Sequence, residues 1–445
     1  VFHDGTPVTS DDVKATWEMI MNPENVPITR FGYDKIESIE TPDELTVTLS
    51  FREPFASWPI LFDAIVPRHI IEENSPGLDE SEAMRKPIGA GPFKIVEWKT
   101  GDYIEYEAFD NYWRGRPKID RLVIKVYPSD DGCLLAAEAK EIDIAWALPV
   151  SFVPRIQALE SQGIRLVTRT IAGSDRYHMN PDAPIFADQT LRQAIAHAID
   201  KQTIIDKQLF GVTECALTEW SGSPWEDPDL VPYEYDPGKA AAMLDSLGWT
   251  DEDGDGIREA HSVEGFDDGT PLRFTHTTWI GDAQRENTQL IVQQMLAEVG
   301  IDMKIENRPI GDLFGSWAAG GVWSHGEFEM GGWSHGLRVP DPEVSARFLC
   351  SEVASEENPS GSQWYRYCNP DVDELLVAQA REFDPERRND LLFQAQSMIL
   401  DDAYTIHLFQ YTLIYTVREE LKNFVLHPFA NYYWNPQEWE WDFGG

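Results

Sequence analysis

The fold class is decided by residues 272–307, where LRFTHTTW (272–279) precedes RENTQLIVQQMLAEV (285–299), Gly300 and IDMKIEN (301–307). The first and last segments are short and extended in pattern, which predicts strands. The middle segment has apolar residues at helical spacing and ends at a glycine, which predicts an amphipathic helix. A strand, a helix and a strand in this order form a crossover, so the chain is predicted to be α/β with a partly parallel sheet.

Further elements are predicted on both sides of this unit. Asp188 is a capping residue for a helix that closes near Gly211, and alternating apolar residues predict strands at 45–49 and 122–126. Other helices are predicted over 7–22, 371–382 and 385–401. Extended runs at 166–180 and 405–417 join what we interpret as two α/β units.

Composition limits the function classes. The 445 residues include 36 Lys+Arg and 77 Asp+Glu, which gives a formal net charge of −41. That length predicts two or three domains, at roughly 150 residues per domain. A nucleic-acid binder neutralises phosphates with clustered basic residues, and an anionic membrane surface repels an acidic protein. We therefore predict a folded, strongly acidic protein that binds neither.

The cysteines and the first residues bear on the compartment. Cys350 and Cys368 flank a polar loop, and the sequence leaves open whether they form a disulfide or are free thiols. The chain opens on Val1-Phe2-His3 with no signal segment, and we interpret this as the interior of a domain whose signal and N-terminal segment precede Val1. No apolar run reaches the roughly 20 residues of a transmembrane helix.

One acidic loop resembles a calcium-binding sequence. Asp251, Asp253 and Asp255 alternate before Gly256, and Glu259 stands at the ninth position. Ser262 occupies the twelfth position, where a bidentate Glu is expected. Two interpretations stay open: a structural Ca²⁺ site formed by Asp251, Asp253, Asp255 and Glu259, or a solvated acidic turn. No cofactor is expected to be required.

The remaining motifs favour binding over catalysis. The sequence contains neither HExxH, nor GxSxG, nor a phosphate-binding glycine loop, and chance alone pairs many of its 77 carboxylates. Several tryptophans stand in polar, Gly- and Pro-rich segments typical of surface loops: Trp220, Trp225, Trp317, Trp323, Trp333 and Trp364. Each one alone is more often a packing residue, but as a group they favour a cleft that stacks an organic ligand.

Six blocks in order resemble one family. They are FHDGTP (2–7) with TSDDV (9–13), GAGPFK (89–94), NYWRG (111–115), EIDI (141–144), FAD (186–188) through LRQA to AID (198–200), and YCNP (367–370) with DELL (373–376). The sequence is similar to the extracytoplasmic solute-binding proteins of peptide/nickel-type ABC importers, family 5, which include dipeptide- and oligopeptide-binding proteins.

The resemblance implies a two-lobed periplasmic-binding-protein-like fold with mixed sheets and a ligand cleft between the lobes. The chain is expected to cross between lobes twice, near 168–176 and 404–411. Lobe one is predicted at 1–170, without its first strands, lobe two at 171–408, and a return to lobe one at 409–445. The protein is expected to be monomeric and extracytoplasmic, to close on its ligand and to dock on a membrane permease.

The family's ligand site carries over in part. Peptide-binding members have a Trp, an Arg three residues before it and an Asp three after it that pairs with the peptide's α-amino group. Here Trp333 is present, with Met330 and Gly336 at the other two positions. Either Asp341 or Glu343 replaces the Asp, or the ligand has no free amine there. The predicted ligand-binding residues are Trp333, Ser334, His335, Trp323, Trp220 and Tyr177.

The sequence leaves several functions open. The first prediction is a transport protein that captures a peptide, and an oligosaccharide is the alternative ligand because tryptophan-rich loops suit sugar rings. A secreted hydrolase that uses paired carboxylates and a binding lobe of a sensor are the alternatives of other classes.

Overall fold

A computed structural model of the chain describes residues 1–25, 30–75, 78, 81–337, 341–359, 361–427, 429 and 434–442. Within these ranges the α-helices are α1 (Ser10–Met21), α2 (Arg68–Asn74), α3 (Asp130–Glu138), α4 (Val153–Gln157), α5 (Gln189–His197), α6 (Lys201–Gln208), α7 (Pro237–Ser246), α8 (Ala283–Glu298), α9 (Ile310–Leu313), α10 (Val322–His325), α11 (Pro370–Arg381) and α12 (Pro385–Asp402).

The strands in the same ranges are β1 (Ile36–Asp43), β2 (Thr46–Phe51), β3 (Phe93–Lys99), β4 (Tyr103–Ala108), β5 (Arg121–Lys125), β6 (Ile144–Leu148), β7 (Ile164–Thr170), β8 (Gly173–Met179), β9 (Trp249–Thr250), β10 (Glu259–Ala260), β11 (Arg273–Thr277), β12 (Asp302–Ile305), β13 (Met330–Gly336), β14 (Thr405–Phe409), β15 (Thr412–Arg418), β16 (Leu421–Lys422) and β17 (Glu440–Trp441).

The central sheet contains the crossover that the sequence predicts. Its strand order is β12-β11-β13-β8-β14. Strand β11 pairs in parallel with both β12 and β13, whereas β8 pairs antiparallel with β13 and β14. The sheet is therefore mixed, and α8 connects the parallel strands β11 and β12 as expected.

A second sheet adjoins the central one through two direct connections. Its strand order is β6-β15-β7. The chain passes from β7 into β8 through residues 171 and 172, and from β14 into β15 through residues 410 and 411. Both passages lie inside the segments where lobe crossings are predicted. The run at 405–417 is consequently two strands in two sheets, where the sequence pattern suggested one. The assignment of the whole chain to lobes stays a prediction.

The helix predicted to begin at Asp188 is divided in the structure. Asp188 caps α5, because its side chain accepts a hydrogen bond from the Leu191 N–H at 3.2 Å. The Asp200 side chain accepts from the Thr203 N–H at 2.9 Å and begins α6. A second capping residue inside the apolar pattern therefore makes two helices where the sequence predicted one.

The central sheet is buried on both faces. Met330 belongs to a cluster of buried apolar residues that includes residues of α5, α6, α7 and α8. Trp333, on the opposite face of the same strand, belongs to a second cluster with residues of α11 and α12. The sheet thus lies between two helical layers, which is the arrangement expected of an α/β unit.

Cys350 and Cys368 form a disulfide, which decides between the two alternatives that the sequence left open. The bridge closes the loop that leads into α11. Cys133 and Cys215 are free thiols. None of the helices in the described ranges is long and apolar enough to cross a bilayer.

Candidate ligand-binding site

Strands β8 and β13 place four of the six predicted ligand residues side by side. Trp333 pairs with Arg176, and His335 pairs with Ser174, on one face of the central sheet. Ser334 pairs with Asp175 and Gly332 with Tyr177 on the other face, because side chains alternate along a strand. Ser334 and His335 are half-buried, whereas Trp333 and Tyr177 are buried.

Of the six tryptophans predicted on surface loops, Trp220, Trp323 and Trp333 lie inside the protein, and the other three are half-buried: Trp225, Trp317 and Trp364. Trp220 and Trp323 are 0% exposed and Trp333 is 1% exposed. The rings of Trp323 and Trp333 lie 4.7 Å apart, centroid to centroid. A Cβ at Gly331 would come within 2.5 Å of the Trp323 ring, so this glycine lets both indoles pack directly on β13. Their role in ligand binding stays a prediction.

Beside Trp333 lies a buried group of ionic and polar side chains that we call the Arg176 cluster, formed by Arg176, Glu219, Arg347, Tyr365 and His335. Glu219, 1% exposed, accepts hydrogen bonds from both guanidinium groups. Arg176 also donates to the Tyr365 hydroxyl at 2.6 Å, and His335 Nδ1 lies 2.7 Å from that hydroxyl. Two cations therefore share one carboxylate in a low-dielectric environment.

Burial disfavours the charged form of both guanidinium groups in this cluster. Burial lowers the pKa of Arg176 to about 10, so the guanidinium stays protonated at neutral pH. The Arg347 side chain keeps 22% exposure and is the member of the ion pairs that solvent reaches. Its Nη2 lies 3.3 Å from the Gly336 carbonyl oxygen.

Two neighbouring histidines are kept neutral. Burial lowers the pKa of His178 and of His407 well below the usual value, and the positive charge of Arg176 adds to the effect. His178 Nε2 accepts from Arg176 Nε at 3.1 Å, which requires the unprotonated nitrogen. His407 Nδ1 lies 2.6 Å from the Ser174 hydroxyl. These histidines are already hydrogen-bonded and belong to no metal-binding group found among the described residues.

The opposite face carries a second ion pair. Arg285 contacts Asp175 at 2.6 Å and Asp282 at 3.1 Å, and its guanidinium lies 4.1 Å from the centre of the Trp279 ring. Burial raises the pKa of Asp175, although Arg285 opposes that shift. This charge is therefore paired inside the protein.

Tyr177, also on that face, packs on His276 with ring centroids 4.0 Å apart. The Tyr177 hydroxyl and His276 Nε2 have no hydrogen-bond partner among the described residues. Burial lowers the pKa of His276 to about 3. Buried polar atoms in this state are typically hydrogen-bonded to an internal water molecule.

Neither acid considered as a substitute for the family's Asp is free. Arg388 binds both carboxylate oxygens of Asp341 at 2.9 and 3.0 Å, and the Ser57 hydroxyl donates to Asp341 at 2.8 Å. Glu343 accepts from the Ser345 N–H at 2.6 Å and from Gln379 at 2.8 Å. Both carboxylates are thus engaged in internal contacts, and the choice between a substitute acid and a ligand without a free amine stays a prediction.

The acidic loop brings part of its predicted calcium ligands together. Oxygen atoms of Asp251, Asp253 and Glu259 lie within 4.8 Å of one another, and Asp255 is not in this group. Backbone N–H groups of Gly254 and Gly256 donate to Asp251 at 2.8 and 3.1 Å. These bonds stabilise the turn without an ion, so calcium binding stays a prediction.

A cavity of about 450 Å³ lies elsewhere, between β5, α3 and β6. Its lining includes Leu122, Ile144, Trp146 and Trp439. None of the predicted ligand residues borders it. It is therefore separate from the candidate site on β8 and β13.

Sequence reasoning missed the charged residues of the site: Asp175, Arg176, Glu219, Arg285 and Arg347. Their signal was weak because a chain with 77 acidic residues contains many charge pairs by chance. The adjacent Asp175 and Arg176 within a predicted extended segment were the one available indication. A strand buried on both faces has to pair such charges internally.

Comparisons with known proteins agree with this fold. The family model described as "Bacterial extracellular solute-binding proteins, family 5 Middle" matches residues 1–356. The oligopeptide-binding protein AppA of Bacillus subtilis is 28% identical over 98% of this chain and 78% of its own length. The glutathione-binding protein GsiB of Salmonella paratyphi A is 24% identical over 96% of this chain and 79% of its own length.

Solved structures show the same similarity. AppA of Bacillus subtilis in complex with a nonapeptide has a TM-score of 0.82 and 27% identity, and the match covers 99% of this chain and 85% of AppA. NikZ of Campylobacter jejuni in complex with Ni(L-His) has a TM-score of 0.83 at 24% identity, with 99% and 85% covered. The predicted α/β, periplasmic-binding-protein-like fold class is thereby confirmed.

Proposed function

We propose, since the chain belongs to the bacterial extracellular solute-binding proteins of family 5, that it is the substrate-binding component of an ABC importer and that its substrate is an oligopeptide. The observation that carries the peptide assignment is the match with AppA, which was solved with a nonapeptide and agrees over 99% of this chain at a TM-score of 0.82. The curated AppA sequence, named as an oligopeptide-binding protein, supports the same substrate class.

Family membership also decides between the function classes. The chain is an extracytoplasmic binding protein and not the hydrolase that the sequence left as an alternative. Capture without chemistry needs enclosure and polar contacts, and no bond of the ligand is broken. We propose that the complex then docks as a monomer on the permease of the importer.

The ligand is proposed to bind where β8 and β13 approach the connections between the two sheets. Ser334 and His335 are half-buried there, and the passages at 171–172 and 410–411 provide two hinge points. Movement about two short connections would enclose a ligand between the sheets, as in hinge closure.

A thermal-shift screen tests the substrate class. The protein is mixed with degenerate nonapeptide pools in one arm and with cello-oligosaccharides in the other. A ligand at a hundredfold excess over Kd stabilises the folded state by about 2.7 kcal/mol. We expect the peptide arm to raise Tm and the sugar arm to leave it unchanged. The reverse result would replace the peptide with an oligosaccharide.

A further inference from the structure

The Arg176 cluster carries an excess of positive charge next to the proposed site. Arg176 and Arg347 contribute two guanidinium groups, and Glu219 is the one carboxylate that either of them contacts in the described part of the chain. Tyr365, His178 and His407 add no negative charge. Asp175, on the opposite face of β8, is paired with Arg285.

Hydrogen-bond donors also exceed acceptors here. Trp323 Nε1 and Trp333 Nε1 are buried without an acceptor in the described ranges. Tyr365, which stacks on His178 at 4.0 Å, already accepts from Arg176. Arg347 reaches the Gly336 carbonyl oxygen only at 3.3 Å. A ligand group with acceptor oxygens and a negative charge would balance the excess positive charge at Arg347, the partly exposed guanidinium of the cluster.

We infer that Arg347 makes the site selective for peptides that present a carboxylate, and this inference rests on the proposed peptide function. Arg347 is the partly exposed end of the buried ion pairs, with 22% of its side chain accessible. A guanidinium binds a carboxylate through two parallel hydrogen bonds. In the proposed complex Glu219 occupies one side of the Arg347 guanidinium and the ligand carboxylate occupies the other.

The Arg347 guanidinium also disfavours basic ligands. An ammonium group beside a partly buried guanidinium experiences repulsion that solvent screens poorly. The net charge of the whole protein, −41, would by itself attract cationic peptides. The negative potential of the protein surface therefore repels carboxylates. A preference for them at Arg347 has to come from local contacts of this side chain.

Two sources of the carboxylate are distinguishable: the peptide C-terminus and an acidic side chain. The test uses four nonapeptide pools of neutral residues. The first has a free C-terminus, the second is amidated, the third is amidated with one Glu, and the fourth is amidated with one Lys. Isothermal titration calorimetry at constant ionic strength gives the apparent Kd of each pool.

We expect the first or the third pool to bind about tenfold or more tightly than the second, and the fourth to bind most weakly. Whichever of the first and third pools binds more tightly identifies the source of the carboxylate. In Arg347→Gln the preference should fall below about threefold, and Arg347→Lys should keep part of it. Arg68→Gln, which removes one positive charge from a side chain with 52% exposure, is the matched control and should keep the full preference.

Equal affinity of the wild type for amidated and carboxylate-bearing pools overturns the inference and leaves the peptide function intact. A preference that survives in a folded Arg347→Gln variant also overturns it. If Arg347→Gln fails to fold, the wild-type comparison and Arg347→Lys decide the question. Binding of none of the four pools contradicts the proposed function itself.

Discussion

At the residue scale, Trp333 shows how burial changes the meaning of a predicted site residue. Its side chain is 1% exposed and packs against Trp323 and His178. A residue in this position supports the sheet whether or not it also contacts a ligand. Ser334 and His335 are more accessible to a peptide than Trp333, because both are half-buried.

Replacement of Trp333 by Ala is expected to lower the free energy of unfolding by about 3–5 kcal/mol, because it removes a buried indole and leaves a cavity. Urea denaturation followed by circular dichroism measures the change. Trp113→Ala is the matched control: Trp113 is 73% exposed, and its loss should cost less than about 0.5 kcal/mol. Similar values for the two variants would show that Trp333 is not a packing residue.

His276 makes stability depend on pH. Burial lowers its pKa from 6.5 to about 3, so the folded protein leaves it neutral while the unfolded chain takes up a proton below pH 6.5. The free energy of unfolding is therefore expected to fall as the pH drops from about 6.5 towards 3. At pH 5 the loss from this residue is about 2 kcal/mol.

Urea titrations at pH 7, 6 and 5 measure this loss. In His276→Gln the decrease between pH 7 and pH 5 should be smaller by about 2 kcal/mol than in the wild type. An unchanged slope in His276→Gln would contradict the assignment.

At the scale of elements, β8 explains why part of the fold was not predictable. The strand–helix–strand unit of β11, α8 and β12 follows regular apolar spacing and was predicted. In contrast, all seven residues of GSDRYHM in β8 are buried although four of them are polar or charged. Their burial is possible because β13 and β14 pair with both edges and ion pairs neutralise the charges.

The candidate site was predictable to a similar extent. The family resemblance identified Trp333, which lies on β13, and the segment of Tyr177 was predicted as extended. Long-range contacts such as Arg176–Glu219 and Arg285–Asp175 join residues far apart in the sequence. No local pattern encodes such pairs, since their partners depend on the order of strands in the sheet.

The loop between β9 and β10 gives a prediction at the same scale. In the calcium interpretation, Asp251, Asp253 and Glu259 bind Ca²⁺ and thereby stabilise this exposed loop. Addition of EDTA to the calcium-loaded protein should lower Tm, and Asp253→Asn should abolish that shift. Asp267→Asn, which changes an acid outside the group, is the control. If EDTA leaves Tm unchanged, the loop is a solvated acidic turn and not a Ca²⁺ site.

At the scale of the whole molecule, the proposed function requires that a peptide is enclosed between the two sheets that residues 171–172 and 410–411 connect. The N-terminal segment already contacts the helices of the central unit: the Ala56 N–H donates to the Ala380 carbonyl at 2.7 Å, and Arg388 contacts Ser57 at 2.7 Å. These contacts join the N-terminal segment to α11 and α12.

The most direct test of the central claim is native mass spectrometry of the protein mixed with equimolar pools of nonapeptides and cello-oligosaccharides. We expect a mass that corresponds to a monomer with one bound peptide and no sugar. A complex with an oligosaccharide, or an unliganded protein in the presence of both pools at concentrations far above micromolar, would contradict it.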